Sequence, residues 1–342
     1  MINIFVHSGN RHTLKRLARA GSSFSNVRAI TYRDVFRNLA FPSGTMIFTD
    51  FDLLNAREME VAAAIAEAAR KSDPAVKILN HPAHVLERYD LLRMMHLKGL
   101  SPISICRVND YEQPQDFPVF IRAEDGANGP ETGILDDLNA YRAAVSELRE
   151  NGKPAKGRIA VKFHAQPNRD GYFRKFGVLR IGDRIIPQHV QYSKSWVVKS
   201  NKQLRDDERT AEELVYIREN PHRDLVEQAF DVGNLQFGRA DFAVDDDQFA
   251  LFEINSNPTF PRFHLGSPER AERRALLREK IVEAFAAIDH REGYRQMVRF
   301  TPPMPYRDYV SVSEWGVMHK LGLYLRLWRR TKPVQRTQSS DP

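Results

Sequence analysis

The chain has 342 residues, 42% hydrophobic and 28% charged, which describes a soluble globular protein long enough to form more than one lobe. Its single cysteine, Cys106, excludes an internal disulfide framework and a cysteine-rich zinc site; with no signal peptide or spanning segment legible, the expected compartment is the reducing cytoplasm. The 51 Lys and Arg against 44 Asp and Glu leave a charge of +7, compatible with a polyanionic partner such as a nucleotide, and without a Cys/His finger or an RNP-type aromatic motif nucleic acid is not an expected partner.

Residues 1–82 alternate strand and helix signals: Ile2 to His7, a helical run near Arg11 to Ala20, Val27 to Tyr32, Met46 to Asp50, a helix near Ala56 to Lys71, and Val76 to Leu79. That alternation predicts a parallel sheet with helices on its faces. His7-Ser8-Gly9-Asn10 follows the first strand in place of G-x-G-x-x-G, so dinucleotide binding is disfavoured. Asn80-His81-Pro82 leads into a helix near His84 to Lys98, ended by Gly99, with Met94 and Met95 as core filling.

Residues 117–133, FPVFIRAEDGANGPETG, read as a strand entering a glycine-containing loop. Alone such a loop reads as a turn, but its backbone N–H groups can also cradle oxygens. Glu124, Asp125 and Glu131 place negative charge there. A helix near Ile134 to Glu150 stops at Asn151-Gly152, and Arg158 to His164 form a strand. Tyr172 to Val190 carry a hairpin signal with Gly182-Asp183 at the turn, and helical patterns return over Thr210 to Ala229.

Gly238 to Pro258, GRADFAVDDDQFALFEINSNP, reads as a second hairpin around the acidic triplet Asp245-Asp246-Asp247. A turn centred on Asp247 sets Asp241 opposite Glu253 and Arg239 opposite Asn255. Period two then places Ala240, Phe242, Val244, Ala250, Phe252 and Ile254 on an apolar face, and Arg239, Asp241, Glu253 and Asn255 on the other. Opposed carboxylates on a half-buried sheet repel unless a cation or proton lies between them. With the Asn255 amide they make an oxygen ligand set suited to Mg2+ or Mn2+. The alternative is a solvated charged face, against which Arg239 weighs as a phosphate clamp.

After the hairpin, Pro258 to His264 form a loop; His264 has no second histidine at metal-ligand spacing. A helix is expected over Pro268 to Ile288. In 314–330, Trp315, Met318, Leu321, Leu325 and Trp328 make an apolar stripe with basic neighbours, which packs on its own protein or serves a membrane surface or a partner. Residues 333–342 have the composition of a disordered tail.

R-x-D, about a dozen residues, then E-x-N-x-x-P resembles the metal-binding end of the ATP-grasp superfamily, as in D-alanine:D-alanine ligase and the ribosomal-protein glutamate ligases. The resemblance covers about residues 80–290 and implies an α/β fold with α+β lobes. It divides the chain into an N-terminal Rossmann-like pre-ATP-grasp domain (1–82), an ATP-grasp domain (83–290; lid about 101–165, metal-binding lobe about 166–290) and a C-terminal basic helix and tail (291–342). It implies that Asp241, Glu253 and Asn255 hold two Mg2+ or Mn2+ ions against ATP and that Arg239 contacts the transferred phosphate. By position, Arg88 and Arg122 replace nucleotide-binding lysines, and Gly126, Asn128 and Gly129 belong to the phosphate loop. Lys162, Phe163 and His164 would line the adenine hinge, where the family often has Glu in place of Lys162. Arg174, or alternatively Lys175, would meet the phosphates, and Arg262 and His264 the acceptor substrate. The implied activity is ATP-dependent joining of a carboxylate to an amine or thiol through an acyl phosphate, releasing ADP and phosphate. The alternative, suggested by the two Lys-to-Arg departures and the acidic loop, is a non-catalytic nucleotide-binding or scaffold protein. The carboxylate, the nucleophile and the oligomeric state are not identified by the resemblance.

Overall fold

The computed structural model describes residues 1–10, 14–109, 111–126, 128–198, 206–245, 247–263, 270–289 and 296–309. Strand β1 (Ile2–Val6) leads through α1 (Lys15–Ala18), β2 (Val27–Thr31), α2 (Tyr32–Asn38), β3 (Ala40–Pro42), β4 (Thr45–Phe48) and α3 (Ala56–Ser72) to β5 (Ile78–Leu79). Four of these strands form the expected parallel sheet, in the order β2-β1-β4-β5. Every residue of β1 is buried, as a strand covered on both faces requires. A capping box starts α3: the Asn55 side chain accepts from the Glu58 backbone, and the Glu58 carboxylate accepts from the Asn55 N–H. Helix α2 was not expected from the sequence pattern; Thr31 caps it by accepting from the Asp34 N–H, and Leu39 closes it in the left-handed conformation.

The next elements are α4 (Arg88–Leu97), β6 (Ile105–Arg107), β7 (Val119–Ala123), α5 (Leu138–Glu150) and β8 (Arg158–Lys162). The three strands form an antiparallel sheet in the order β6-β8-β7. It carries its own apolar cluster, in which Tyr141 and Leu148 of α5 pack on Val119, Ile121 and Ala160. The free thiol of Cys106 lies in this cluster, pushed up to about 11 by burial and then by Glu112. Helix α5 starts at Leu138 rather than Ile134, because the Asp137 side chain caps it by accepting from the Ala140 N–H.

Strands β9 (Phe173–Ile181) and β10 (Arg184–Ser193) precede α6 (Asp207–Glu219) and α7 (Arg223–Val232), and β11 (Phe237–Asp245) and β12 (Gln248–Asn255) follow. They form an antiparallel sheet in the order β10-β9-β11-β12, which contains both expected hairpins. Then come α8 (Ala271–Ile288), β13 (Met297–Arg299), which pairs with β3, and α9 (Tyr306–Tyr309). The largest core runs unbroken from β1 and β4 through Phe237, Phe242 and Phe260 to Phe285 and Tyr309. Among the described residues, no helix is long and apolar enough to cross a membrane. His264, the 314–330 stripe and the 333–342 tail lie outside the described residues.

Candidate active site

The organising hairpin carries a feature that period-two counting missed. Arg239 pairs with Asn255 and Asp241 with Glu253, as expected, but beyond Asp241 the register shifts so that Phe242 faces Leu251, Ala243 faces Ala250 and Val244 faces Phe249. Between the Asp241–Glu253 pair and a turn closing Asp245 on Gln248, β12 has one more residue than β11, and Phe252 is the surplus, bulged out. The expected apolar face is corrected accordingly: Phe249 and Leu251 join Phe242 in the main core, while Ala250 moves to a separate cluster with Ala243, Tyr89, Ile103, Ile159 and Val161. Phe252 packs against that cluster and lines a cavity of about 1360 Å3 between the two antiparallel sheets.

One row crosses the floor of this cavity. Glu253 faces Asp241, Asp241 faces Gly177 of β9, and Gly177 faces His189 of β10. The His189 ring lies over the Gly177 backbone so closely that a Cβ there would stand 2.4 Å from it, so any larger residue forces the ring to move. Burial first, then the Arg239 cation, push this imidazole well below its ordinary range, so it is neutral at neutral pH.

Asp241 is 2% exposed. Arg239 donates to it through Nε at 2.6 Å and through a terminal nitrogen at 3.2 Å, and Lys175 Nζ donates at 2.9 Å. Burial alone would raise this carboxyl, but Arg239 and then Lys175 outweigh it and hold it well below the usual carboxylate range. Glu253 is covered from the opposite side. Arg88, the first residue of α4, donates to its Oε2 at 2.6 Å and to the carbonyls of Glu124 and Gly126 at 2.6 and 3.0 Å. Arg122 reaches the same Oε2 at 3.5 Å and the Gly126 carbonyl at 3.4 Å. Burial and the neighbouring Arg88 push the Arg122 guanidinium down, against the pull of Glu253. The sequence-selected arginines and the glycine loop therefore converge on the hairpin.

Within that loop, Gly126 and Gly129 take left-handed φ of 80° and 84°, and Asn128 is exposed. Two of the acidic residues around it face cations: Arg107 donates to Glu124 at 3.0 Å, and Glu131 accepts from Arg158 Nε at 2.6 Å and Lys153 Nζ at 3.2 Å; burial and then Glu124 raise the third, Asp125. At the hinge strand, Lys162 Nζ donates to the Phe117 carbonyl, and the Phe163 N–H donates to the Pro118 carbonyl at 2.8 Å. Phe163 and Phe120 contact Trp196 with ring centroids 5.4 and 5.2 Å apart, and all three line the cavity with His164. Arg174 and Lys175 divide: Arg174 pairs with Glu212 at 3.9 Å, and Lys175 is the one at the hairpin carboxylate.

Sequence reasoning missed Asp50 and Asn257. Asn257 Nδ2 donates to both Asp50 oxygens at 2.9 Å, the His7 N–H donates to Oδ2 at 2.7 Å, and the Asp50 N–H donates to Ser256 Oγ at 3.0 Å. The Asn255-Ser256-Asn257 end of the hairpin is thereby tied to the C-terminal ends of β1 and β4. The only available signal was a polar residue two positions after a strand, Asp50 after β4 and Asn257 after β12. Burial raises the Asp50 carboxyl despite these bonds.

The oxygen set of Asp241, Glu253 and Asn255 has the chemistry of a Mg2+ site. Among the described residues, no group of three or more His, Cys, Asp or Glu side chains stands ready for a metal. Guanidinium and ammonium groups balance both carboxylates instead, and Asn255 Oδ1 accepts from the Asn257 N–H at 2.9 Å. The site fits a metal that arrives with phosphates able to draw Arg88 and Arg122 off Glu253.

No protein-family model matches the sequence, and no curated protein matches it. Solved structures do. D-alanine–D-alanine ligase from Bacillus anthracis, complexed with ATP, aligns at 10% identity over 84% of this chain and 97% of its own, with a TM-score of 0.46. A RimK domain protein ATP-grasp from Sphaerobacter thermophilus aligns at 11% identity over 83% and 98%, with a TM-score of 0.43. L-amino acid ligase from Bacillus licheniformis aligns at 14% identity over 75% and 66%, with a TM-score of 0.42. These three solved structures, to which this mixed α/β chain is similar at low sequence identity, are ATP-grasp enzymes.

Proposed function

We propose that this protein is an ADP-forming ligase: ATP, bound in the cavity between the two antiparallel sheets, phosphorylates a carboxylate, and an amine or thiol then displaces phosphate from the acyl phosphate. The observation that carries this reading is the convergence of Arg239, Asp241, Glu253 and Asn255 with Lys175 and Arg122 at the lining of that cavity, with Arg88 paired to Glu253. In this reading residues 1–82 are the preceding domain, and 83–290 are the catalytic one, with its lid over 101–165.

The aromatic wall of Phe163, Trp196 and Phe252 receives the base beside Lys162 and His164. Arg88, Arg122 and the Gly126–Gly129 loop then hold the phosphates, the guanidiniums exchanging Glu253 for phosphate oxygens. Divalent cations held by Asp241, Glu253 and Asn255 would supply charge neutralisation at the outer phosphates. Arg239 and Lys175, fixed on Asp241, point positive charge at the γ-phosphoryl group, whose equatorial oxygens carry the charge of the transition state. No side-chain nucleophile is needed, since positioning and electrostatics suffice. Charge gathered at the outer phosphates favours ADP over AMP as the product.

A second reading, a nucleotide-binding protein without turnover, rests on arginine in both expected lysine positions and on the ion pairs that cover Glu253. Incubation with ATP, Mg2+ and a panel of amino acids, dipeptides and carrier-bound carboxylates separates the two. The ligase reading expects ADP and phosphate, and a hydroxamate when hydroxylamine replaces the nucleophile. AMP as the product overturns the mechanism, and ATP binding with no turnover across the panel favours the second reading.

A further inference from the structure

Strand β10 brings to the cavity two glutamines whose side-chain carbonyl oxygens have no partner. Its register with β9 shifts between Pro187 and His189, which makes Gln188 the extra residue of a bulge. A bulge re-aims a side chain, and Gln188, His189 and Gln191 all line the cavity. Gln188 and Gln191 are 4% and 7% exposed, yet the Oε1 atom of each is buried without a hydrogen bond among the described residues. The orientation of the Gln188 amide is fixed, because its Nε2 donates to the Thr259 carbonyl at 3.1 Å and a carbonyl can only accept. Glu213 of α6, 2% exposed, adds a third oxygen: its Oε2 pairs with Arg270 and Arg273, while its Oε1 has no hydrogen bond among the described residues.

These three oxygens belong to one stretch of the lining. Arg273, paired with Glu213, donates to the Gln188 backbone carbonyl, and Gln191 faces Lys175, which donates to Asp241. The stretch therefore adjoins the hairpin carboxylates on the β10 side. Charge selects no ligand there, since Lys175, Arg270 and Arg273 stand against Glu213, Asp206 and Asp207 in the same lining. Hydrogen bonding does. Each buried acceptor without a donor raises the free energy of the folded protein, and three in one wall are matched by a ligand with several N–H groups. A thiol brings a single weak S–H and a hydroxyl a single O–H, whereas a primary amine brings two N–H groups as the free base and three as the ammonium ion.

We propose that the nucleophile of the second step is a primary amine and that Gln188, Gln191 and Glu213 receive its N–H groups. The inference rests on the ligase reading for the reaction and deepens it by choosing amine over thiol. The free amine forms a bond from nitrogen to the acyl carbon as the C–O bond to phosphate breaks. Phosphate leaves with that electron pair and takes up the proton that the nitrogen sheds, so the products are an amide and hydrogen phosphate. Holding the amine by its N–H groups leaves the nitrogen lone pair for the acyl carbon.

The test uses the full chain with a non-hydrolysable ATP analogue and Mg2+, and three probes that differ only in carrying an amine, a hydroxyl or a thiol: glycinamide, glycolamide and mercaptoacetamide. Calorimetry is expected to show glycinamide bound about tenfold more tightly than the other two, with that margin lost in Gln191→Leu and kept or widened in Gln191→Glu, which retains an acceptor. Without a probe, Gln191→Leu should melt at or above the Tm of the parent, because it removes a buried acceptor that the fold leaves unpaired. Both variants should bind the ATP analogue as the parent does. The inference is overturned if the thiol or hydroxyl probe binds the parent as tightly as glycinamide, if no probe binds the parent, or if Gln191→Leu binds glycinamide as the parent does. A lowered Tm or a failure to fold in Gln191→Leu overturns it as well, since the side chain then serves the fold. Amine-selective binding in a protein unable to bind the ATP analogue would instead overturn the nucleotide reading and leave this wall in place.

Discussion

At the scale of single residues, the hairpin carboxylates behave differently in the fold than their opposition in sequence suggests. Opposed and bare, Asp241 and Glu253 would repel ATP until a metal arrives; in the structure Arg239 and Lys175 cover one, and Arg88 and Arg122 the other. Nucleotide binding in EDTA is therefore expected to persist in weakened form, and to disappear in the Arg88→Ala/Arg122→Ala double variant. Calorimetry decides this, and a double variant that binds ATP in EDTA like the parent removes the two arginines from the phosphate site. Arg239→Ala should reduce kcat about 100-fold while changing the ATP Kd only a few-fold, because its contact strengthens as charge develops on the transferred group. A loss confined to Kd would make Arg239 a ground-state binding residue. Gly177→Ala places a methyl group 2.4 Å from the His189 ring; the expected cost is about 1–3 kcal/mol in chemical denaturation. Adding His189→Ala should recover much of it, and an unrescued loss would place the clash elsewhere.

Among the elements, β12 is the instructive one. Its two ends obey different registers, because a turn closing Asp245 on Gln248 and the Asp241–Glu253 pair leave Phe252 over, and the surplus residue takes the cavity side. Phe252→Ala should leave the thermal midpoint nearly unchanged, since the residue is only partly buried, and weaken ATP binding by roughly five- to twentyfold through the lost wall for the base. Unchanged nucleotide affinity would place the base elsewhere in the cavity. Helix α2 and strand β6 escaped notice for a different reason. Each is short, seven and three residues, and below the length at which a hydrophobic period declares itself. Tertiary neighbours hold them: Tyr32 and Phe36 pack into the main core, and β6 pairs along β8.

For the molecule as a whole, Asn80 joins the parallel sheet to the sheet that carries the site. In the left-handed conformation and fully buried, it donates to the Phe48 carbonyl at 3.0 Å and the Phe237 carbonyl at 2.7 Å, and its Oδ1 accepts from the Gln236 and Phe237 N–H groups at 2.8 and 2.9 Å. Asn80→Ala strands those backbone groups, at an expected cost of about 2–4 kcal/mol. Urea unfolding measures this, and a loss under about 1 kcal/mol would mean the two sheets are held by the apolar core alone.

What the sequence by itself determined is local and periodic: the parallel sheet of the first 82 residues, both hairpins, and the pairing of Arg239 with Asn255 and Asp241 with Glu253. These follow from alternation and turn residues within a few positions of one another, which a one-dimensional pattern preserves. Only the tertiary structure decided which charges meet. Glu253 finds Arg88 and Arg122 from 165 and 131 residues away, Asp50 finds Asn257 across 207, and Arg16 is fixed by Phe260 across 244. Such pairings depend on how rigid elements pack. The cost of burying an unpaired charge selects them, and that cost is set by three-dimensional neighbours rather than by spacing along the chain.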